Sequence, residues 1–152
     1  MENLVRRLGR IFTTKRKTEK KVLPERSPAK MDRLEQVLSS WLEAKGWRTH
    51  TRTIGEAAEQ LGTDTVTLYH YFKERMGMDF RTWRTRLRLE DACRMLLEEP
   101  DTYAADIGLK AGFTNRSNFS RQFLAHLGCT PTAWRDKARI SPDIQAPKND
   151  YV

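Results

Sequence analysis

Apolar residues recur along this chain at helical spacing, in short stripes separated by glycines and polar caps. Leu34, Val37, Leu38, Trp41 and Leu42 fall at i, i+3, i+4, i+7 and i+8, which predicts a helix over residues 31–45 that Gly46 ends. Thr53 followed by Glu56 has the form of a capping box and opens a short helix over 53–61, with Ile54, Ala57, Ala58 and Leu61 inward. Gly62 turns the chain. Asp64 then caps a helix from Thr65 to about Glu74, with Leu68, Tyr71 and Phe72 inward. Asp79 is a candidate cap for a long helix from Phe80 to Glu98, which points Leu87, Leu89, Met95, Leu96 and Leu97 at its neighbours. Helices over 101–111, 116–127 and 131–138 follow. Gly112 and Gly128 punctuate them, and Pro131 begins the last. The expectation is an all-α chain.

Residues 107–134 carry the sharpest local signal. One short helix ends at Gly112, a polar turn follows, and a second helix has Phe119 and Phe123 four residues apart. That is a helix-turn-helix outline. The exposed face of its second helix carries Arg116, Ser117, Ser120 and Arg121. A helix of this size fits a DNA major groove, and Arg, Asn and Ser hydrogen-bond base edges. A weak internal repeat places a first helix-turn-helix over residues 53–74. Each half has a small-residue helix, a glycine, a polar cap, an aromatic, a glycine stop and a tryptophan, Trp83 or Trp134.

The run IGLKAGFTNRSNFSRQFLAHLGCTP, with Ile107, Gly112-Phe113, Ser117, Phe119-Ser120-Arg121, Phe123, Gly128 and Pro131, resembles the DNA-binding domain of the AraC/XylS family of bacterial transcription regulators. The similarity reaches back to about Met31, through IGEAAEQLG and the stretch after it. It implies two helix-turn-helix subdomains of homeodomain-like form joined by a long helix: 31–78 the first unit, 79–98 the linker helix, 99–138 the second unit. It implies base contacts from Arg116, Ser117, Asn118, Ser120 and Arg121 in the second unit. In the first unit it implies them from Thr65, Val66, Tyr69 and His70 on an outer face. Thr53, Lys73, Thr114 and Asn115 are expected on phosphates. Two such helices would enter successive major-groove segments about 34 Å apart. The family often carries Arg at the position of His70 and Ser at that of Asp64. The first helix is therefore expected to hold DNA less strongly, or to read another sequence.

Charge changes the picture less than its total suggests. The net charge is +8, but residues 1–30 hold ten of the 28 Lys and Arg and three of the 20 Asp and Glu, a local +7 that leaves +1 for the rest. Residues 1–30 read as a basic flexible arm, in which residues 3–12 have amphipathic helical spacing, and residues 139–152 read as a flexible tail. Such an arm suits nonspecific DNA affinity; membrane-surface contact is the less favoured reading. Cys93 and Cys129 have neither disulfide-framework nor zinc spacing, which suits a reducing cytoplasm, and both are expected in the core. No run of 18 apolar residues is present.

No nucleophile–base pairing, P-loop or metalloprotease motif is found, so enzyme, cofactor and metal readings fall away. The expected partner is double-stranded DNA, with RNA polymerase a further candidate. Two alternatives stay open: an interaction module of the same fold with reduced DNA contact, and a C-terminal fragment of a larger sensor regulator.

Overall fold

In the computed structural model, residues 28–51 and 53–141 are described. The readings of residues 1–27 and 142–152, the bulk of the basic arm and tail, lie outside the described residues. Among the described residues every regular element is helical. α1 runs Pro28–Glu43, starting three residues ahead of the expected residue 31, and begins on a proline, which the first turn of a helix tolerates. A single 3-10 turn, Gly46–Arg48, follows. α2 is Ile54–Gln60, and α3 is Thr65–Tyr71. The long helix α4 spans Phe80–Glu98. α5 (Ala104–Lys110), α6 (Arg116–Leu127) and α7 (Pro131–Ile140) complete the chain.

Side-chain caps set most of the starts. Thr53 Oγ1 accepts the Glu56 amide N–H at 3.1 Å, and Asp64 Oδ1 accepts that of Thr67 at 2.8 Å. Asp79, Asn115 and Thr130 do the same for Thr82, Asn118 and Ala133. Each satisfies an amide that the first turn leaves without a helical acceptor. α3 departs from the expected plain helix. Its continuation, Phe72–Met76, widens into a π-helical turn before Gly77.

The described residues form two compact units. One holds α1, α2, α3 and the chain through Thr82. The other holds Trp47–His50, α4 from Trp83, and α5 to α7. The first unit's core is aromatic: the Phe80 ring lies 5.8 Å from Trp41 and 5.2 Å from Phe72. In the second unit Phe113, Phe119, Phe123 and Trp134 form a chain of ring contacts at 5.2, 5.4 and 6.3 Å. Leu89, Cys93 and Leu96 of α4 pack on that cluster, and Cys129 sits partly buried against it. Two expected inward residues are exposed instead, Ile54 and Leu97. Both sit at helix ends, where the stripe continues in sequence but the packed neighbour does not.

Two buried guanidinium groups, Arg88 and Arg135, and the half-buried Arg48 finish the second unit. Arg88 donates to the carbonyls of Trp47 at 2.6 Å and Thr49 at 2.9 Å. Arg48 donates to Asp91 at 2.6 and 3.0 Å, and the Trp47 indole donates to the same carboxylate at 3.1 Å. These bonds strap residues 47–50 to α4. Gly112 lets the strap pass, since a Cβ there would lie 2.7 Å from the Arg48 Cα. Arg135 of α7 donates to the carbonyls of Leu96 at 3.0 Å and Thr102 at 2.7 Å, which fixes the turn that leads into α5.

The two units repeat one register. Asp64 and Asn115, Leu68 and Phe119, Phe72 and Phe123, Gly77 and Gly128, Asp79 and Thr130, and Trp83 and Trp134 are each 51 residues apart. The glycine turns differ by one residue, since the cap follows Gly62 by two positions and Gly112 by three.

Candidate nucleic-acid interface

In the second unit α5 and α6 form the helix-turn-helix. Gly108 sits where they cross, and a Cβ on it would lie 2.3 Å from the Phe119 ring. Glycine therefore sets how closely α5 approaches α6. Phe119 and Phe123 are fully buried. Helical geometry then turns the other side of α6 outward. Thr114, Asn115, Arg116, Ser117, Ser120 and Arg121 are all exposed, and Asn118 is half-buried. The Asn115 carboxamide oxygen is committed to its cap, at 2.7 Å from the Asn118 nitrogen. Arg121 reaches back to the Asn118 carboxamide oxygen at 3.4 Å, a weak contact. Arg116 is held harder. Its Nη2 donates to Asp106 of α5 at 2.8 Å. Among the described residues Arg121 thus has only a weak, neutral contact to leave before it meets a base, whereas Arg116 is already paired with a carboxylate.

In the first unit α2 and α3 form the equivalent pair. Thr53, Thr65, Val66, Tyr69 and Lys73 are exposed, as expected. Thr53 gives its hydroxyl oxygen to the α2 cap. His70 is a correction. The outer face predicted for it is not where it lies, and it is only 7% exposed. Its short side chain folds back beside the edge-on Tyr69 ring, 5.3 Å between centroids, with Nδ1 3.6 Å from a Glu74 carboxylate oxygen. A guanidinium on a longer stem would reach past that point; the imidazole does not.

Asp64 places a firm negative charge beside α3. The Thr67 amide, then the Thr67 hydroxyl, hold its carboxyl down to about 2, with Lys30 adding a little. The Lys30 ammonium lies 3.5 Å away on α1. That pair offsets part of the repulsion which an acidic cap exerts on a phosphate.

The sequence reading missed Asp106, Gly108 and Lys30. Gly108 had a signal, since a glycine inside a helix marks a close approach. Asp106 and Lys30 lie ten and 34 residues from their partners, and no local pattern links them. Among the described residues no cluster of metal-ligating side chains occurs, and no helix is long and apolar enough to cross a membrane.

A helix-turn-helix domain family matches residues 57–137, which covers α2 from its middle through most of α7. The chain belongs to the AraC-type helix-turn-helix family. It is 30% identical over 103 residues to the probable transcription factor PqrA of Proteus vulgaris, covering 68% of this chain and 83% of that protein. It is 30% identical over 83 residues to the transcriptional activator RhaR of Klebsiella pneumoniae, covering 55% of this chain and 29% of that one. An uncharacterised regulator of Staphylococcus aureus matches at 29% identity over only 13% of its own length. The chain thus spans most of one relative and a small part of others. Among solved structures, a protein of unknown function from Listeria innocua superposes with a TM-score of 0.59 at 28% identity, over 68% of this chain and 95% of that one. The C-terminal domain of AraT, a response regulator from Geobacillus stearothermophilus, shares the fold at 22% identity and a TM-score of 0.58, over 73% of this chain and 86% of that one. An AraC-type domain binds DNA in the regulation of transcription, which is not an enzymatic role.

Proposed function

We propose that this chain is a sequence-specific reader that puts α3 and α6 into successive major-groove segments of one duplex. The domains divide, on this reading, into a basic arm, two recognition units linked through α4, and a tail. The observation that carries it is the exposed face of α6, where Arg121 and two serines stand clear of the core on a helix pinned by Phe119 and Phe123. Arg121 is assigned to guanine O6 and N7. Arg116, Ser117, Asn118 and Ser120 line the same groove, and Thr114 and Asn115 lie at the phosphates beside it. In the first unit Thr65, Val66 and Tyr69 face the bases, and Thr53 and Lys73 the backbone. His70 supports α3 from beneath. The protein would work where the DNA is, in the cytoplasm, with RNA polymerase as the partner a promoter supplies. The basic arm adds nonspecific affinity, because lysine and arginine release counterions from DNA.

Selection from a random duplex pool tests this, with the full chain and with residues 31–152. Two short enriched blocks about one helical turn apart are expected. Arg121→Ala should erase preference in one block only. Enrichment of a single block would remove the two-headed reading. The arm is tested by the salt slope of binding, which should be shallower without residues 1–30.

One observation favours a second reading, a protein-interaction module with reduced DNA contact. Asp64 stays charged at the edge of the first unit's face while His70 is turned inward. A folded chain that enriches no duplex would decide for it.

A further inference from the structure

The two recognition helices share a register and present unlike chemistry. At the constant offset of 51 residues, Val66 corresponds to Ser117, Tyr69 to Ser120 and His70 to Arg121. One unit therefore exposes two hydroxyls and a guanidinium at the positions where the other exposes an aliphatic and an aromatic side chain and buries an imidazole. Val66 is 56% and Tyr69 54% exposed. Three residues apart, they share one face of α3. Between Thr65 and Tyr71 there is no Lys or Arg. The next cation, the exposed Lys73, is assigned above to the backbone, so the face that Val66 and Tyr69 share offers the bases no cation for the commonest guanine contact. The major groove does offer one apolar feature, the 5-methyl group of thymine, and it takes apolar side chains.

We propose that α3 reads thymine methyl groups through Val66 and Tyr69. The two operator blocks then differ in kind: an A·T block with positioned thymines under α3, and a guanine-containing block under Arg121 of α6. This rests on the reading that both helices enter the major groove. It adds which base feature each one recognises.

Deoxyuridine tests it, because it removes the methyl and leaves the pairing edge unchanged. Each thymine of the selected operator is replaced in turn, and Kd is measured for the full chain at fixed salt. One or two positions within a single block should weaken binding, roughly three- to fivefold each, the value of one buried methyl. In the other block, 7-deazaguanine, which lacks the N7 acceptor, should weaken it as well. In the V66A/Y69A chain the uracil effect should vanish while the 7-deazaguanine effect persists. That persistence also shows that the variant is folded and docked. A specific operator indifferent to uracil at every thymine overturns the proposal and leaves the two-headed reading intact. A uracil effect that survives in V66A/Y69A also overturns it. A folded chain with no preferred operator overturns both.

Discussion

Arg116 and Arg121 lie five residues apart on one exposed helix and have different work to do before they meet DNA. Arg116 must share or leave the Asp106 carboxylate at 2.8 Å, whereas Arg121 has only the weak 3.4 Å contact to Asn118. Arg121→Ala is therefore expected to cost about 1–3 kcal/mol of discrimination at one base pair. Thermal stability should hold, since an exposed arginine contributes little to folding. Competition binding against single-base operator variants checks this, and equal losses on all sequences would mark Arg121 as a phosphate contact. Asp64 separates two roles in a different way. Asp64→Ala removes the α3 cap and should lower stability by about 1 kcal/mol. Asp64→Asn keeps a capping oxygen and deletes the anion. It should give up only the part of the stability that the charge supplies, and bind DNA more tightly at low salt, where an unscreened carboxylate repels phosphate most. Unchanged affinity in the Asp64→Asn chain would show that Lys30 already neutralises that charge.

At the scale of the element, the crossing of α5 on α6 depends on one missing methyl. Gly108→Ala puts a Cβ 2.3 Å from the ring of Phe119, which is fully buried and packed between Phe113 and Phe123. Alanine favours the helix by about 1 kcal/mol. Overpacking costs about 1–3 kcal/mol, and with the ring held on both sides the clash should win. Urea unfolding should report the loss. Specific DNA binding should fall too, because α6 must shift although no residue on its outer face has changed. Equal stability with normal binding would mean that the helices cross more loosely than the rings require. The caps and stripes that set these elements were legible in the sequence, because a helix start is written in two or three adjacent residues. The faces were legible only where both sides of the helix had a counterpart. Periodicity gives the angle of Ile54, Leu97 and His70 around their helices, but not whether another element lies there. The π-helical turn at Phe72–Met76 left no sequence signal that we can identify. Partners distant along the chain, Asp106 with Arg116 and Lys30 with Asp64, depend on the finished packing.

At the scale of the whole molecule, acid should act through a few carboxylates. Burial of Asp91 opposes its ionisation, but hydrogen bonds from Arg48, Arg94 and Trp47 outweigh that and hold its carboxyl below the ordinary value. Burial opposes ionisation of Asp79 as well, and the Thr82 amide and hydroxyl reverse it. Asp64 lies at about 2. A carboxyl whose folded value is depressed binds protons more weakly folded than unfolded. Its stabilisation is fully present above the unfolded value, about 3.9, and is lost as pH falls through the folded one. Glu90 works in the other direction. Burial raises its value, with Arg86 offsetting part, so acid relieves a cost there. Hydrogen bonds from Lys110 and Thr102 hold the Glu99 carboxyl below its ordinary value as well. Among the described residues, four depressed carboxyls against one raised predict stability that declines from about pH 5 downward. Asp91 is the member that can be isolated, because its carboxylate ties the 47–50 strap to α4. Asp91→Asn should lose about 1–2 kcal/mol at pH 7, since it weakens charge-assisted hydrogen bonds from two partly exposed arginines to a buried carboxylate. Urea unfolding of both chains at pH 7 and pH 3, followed by tryptophan fluorescence, checks the sign. The gap between them should narrow at pH 3, which lies below the unfolded carboxyl's value of about 3.9, so that folding there must first release a proton from Asp91. A gap of the same size at both values would mean that the strap is held by the shape of the Asp91 side chain and its neutral hydrogen bonds rather than by its charge.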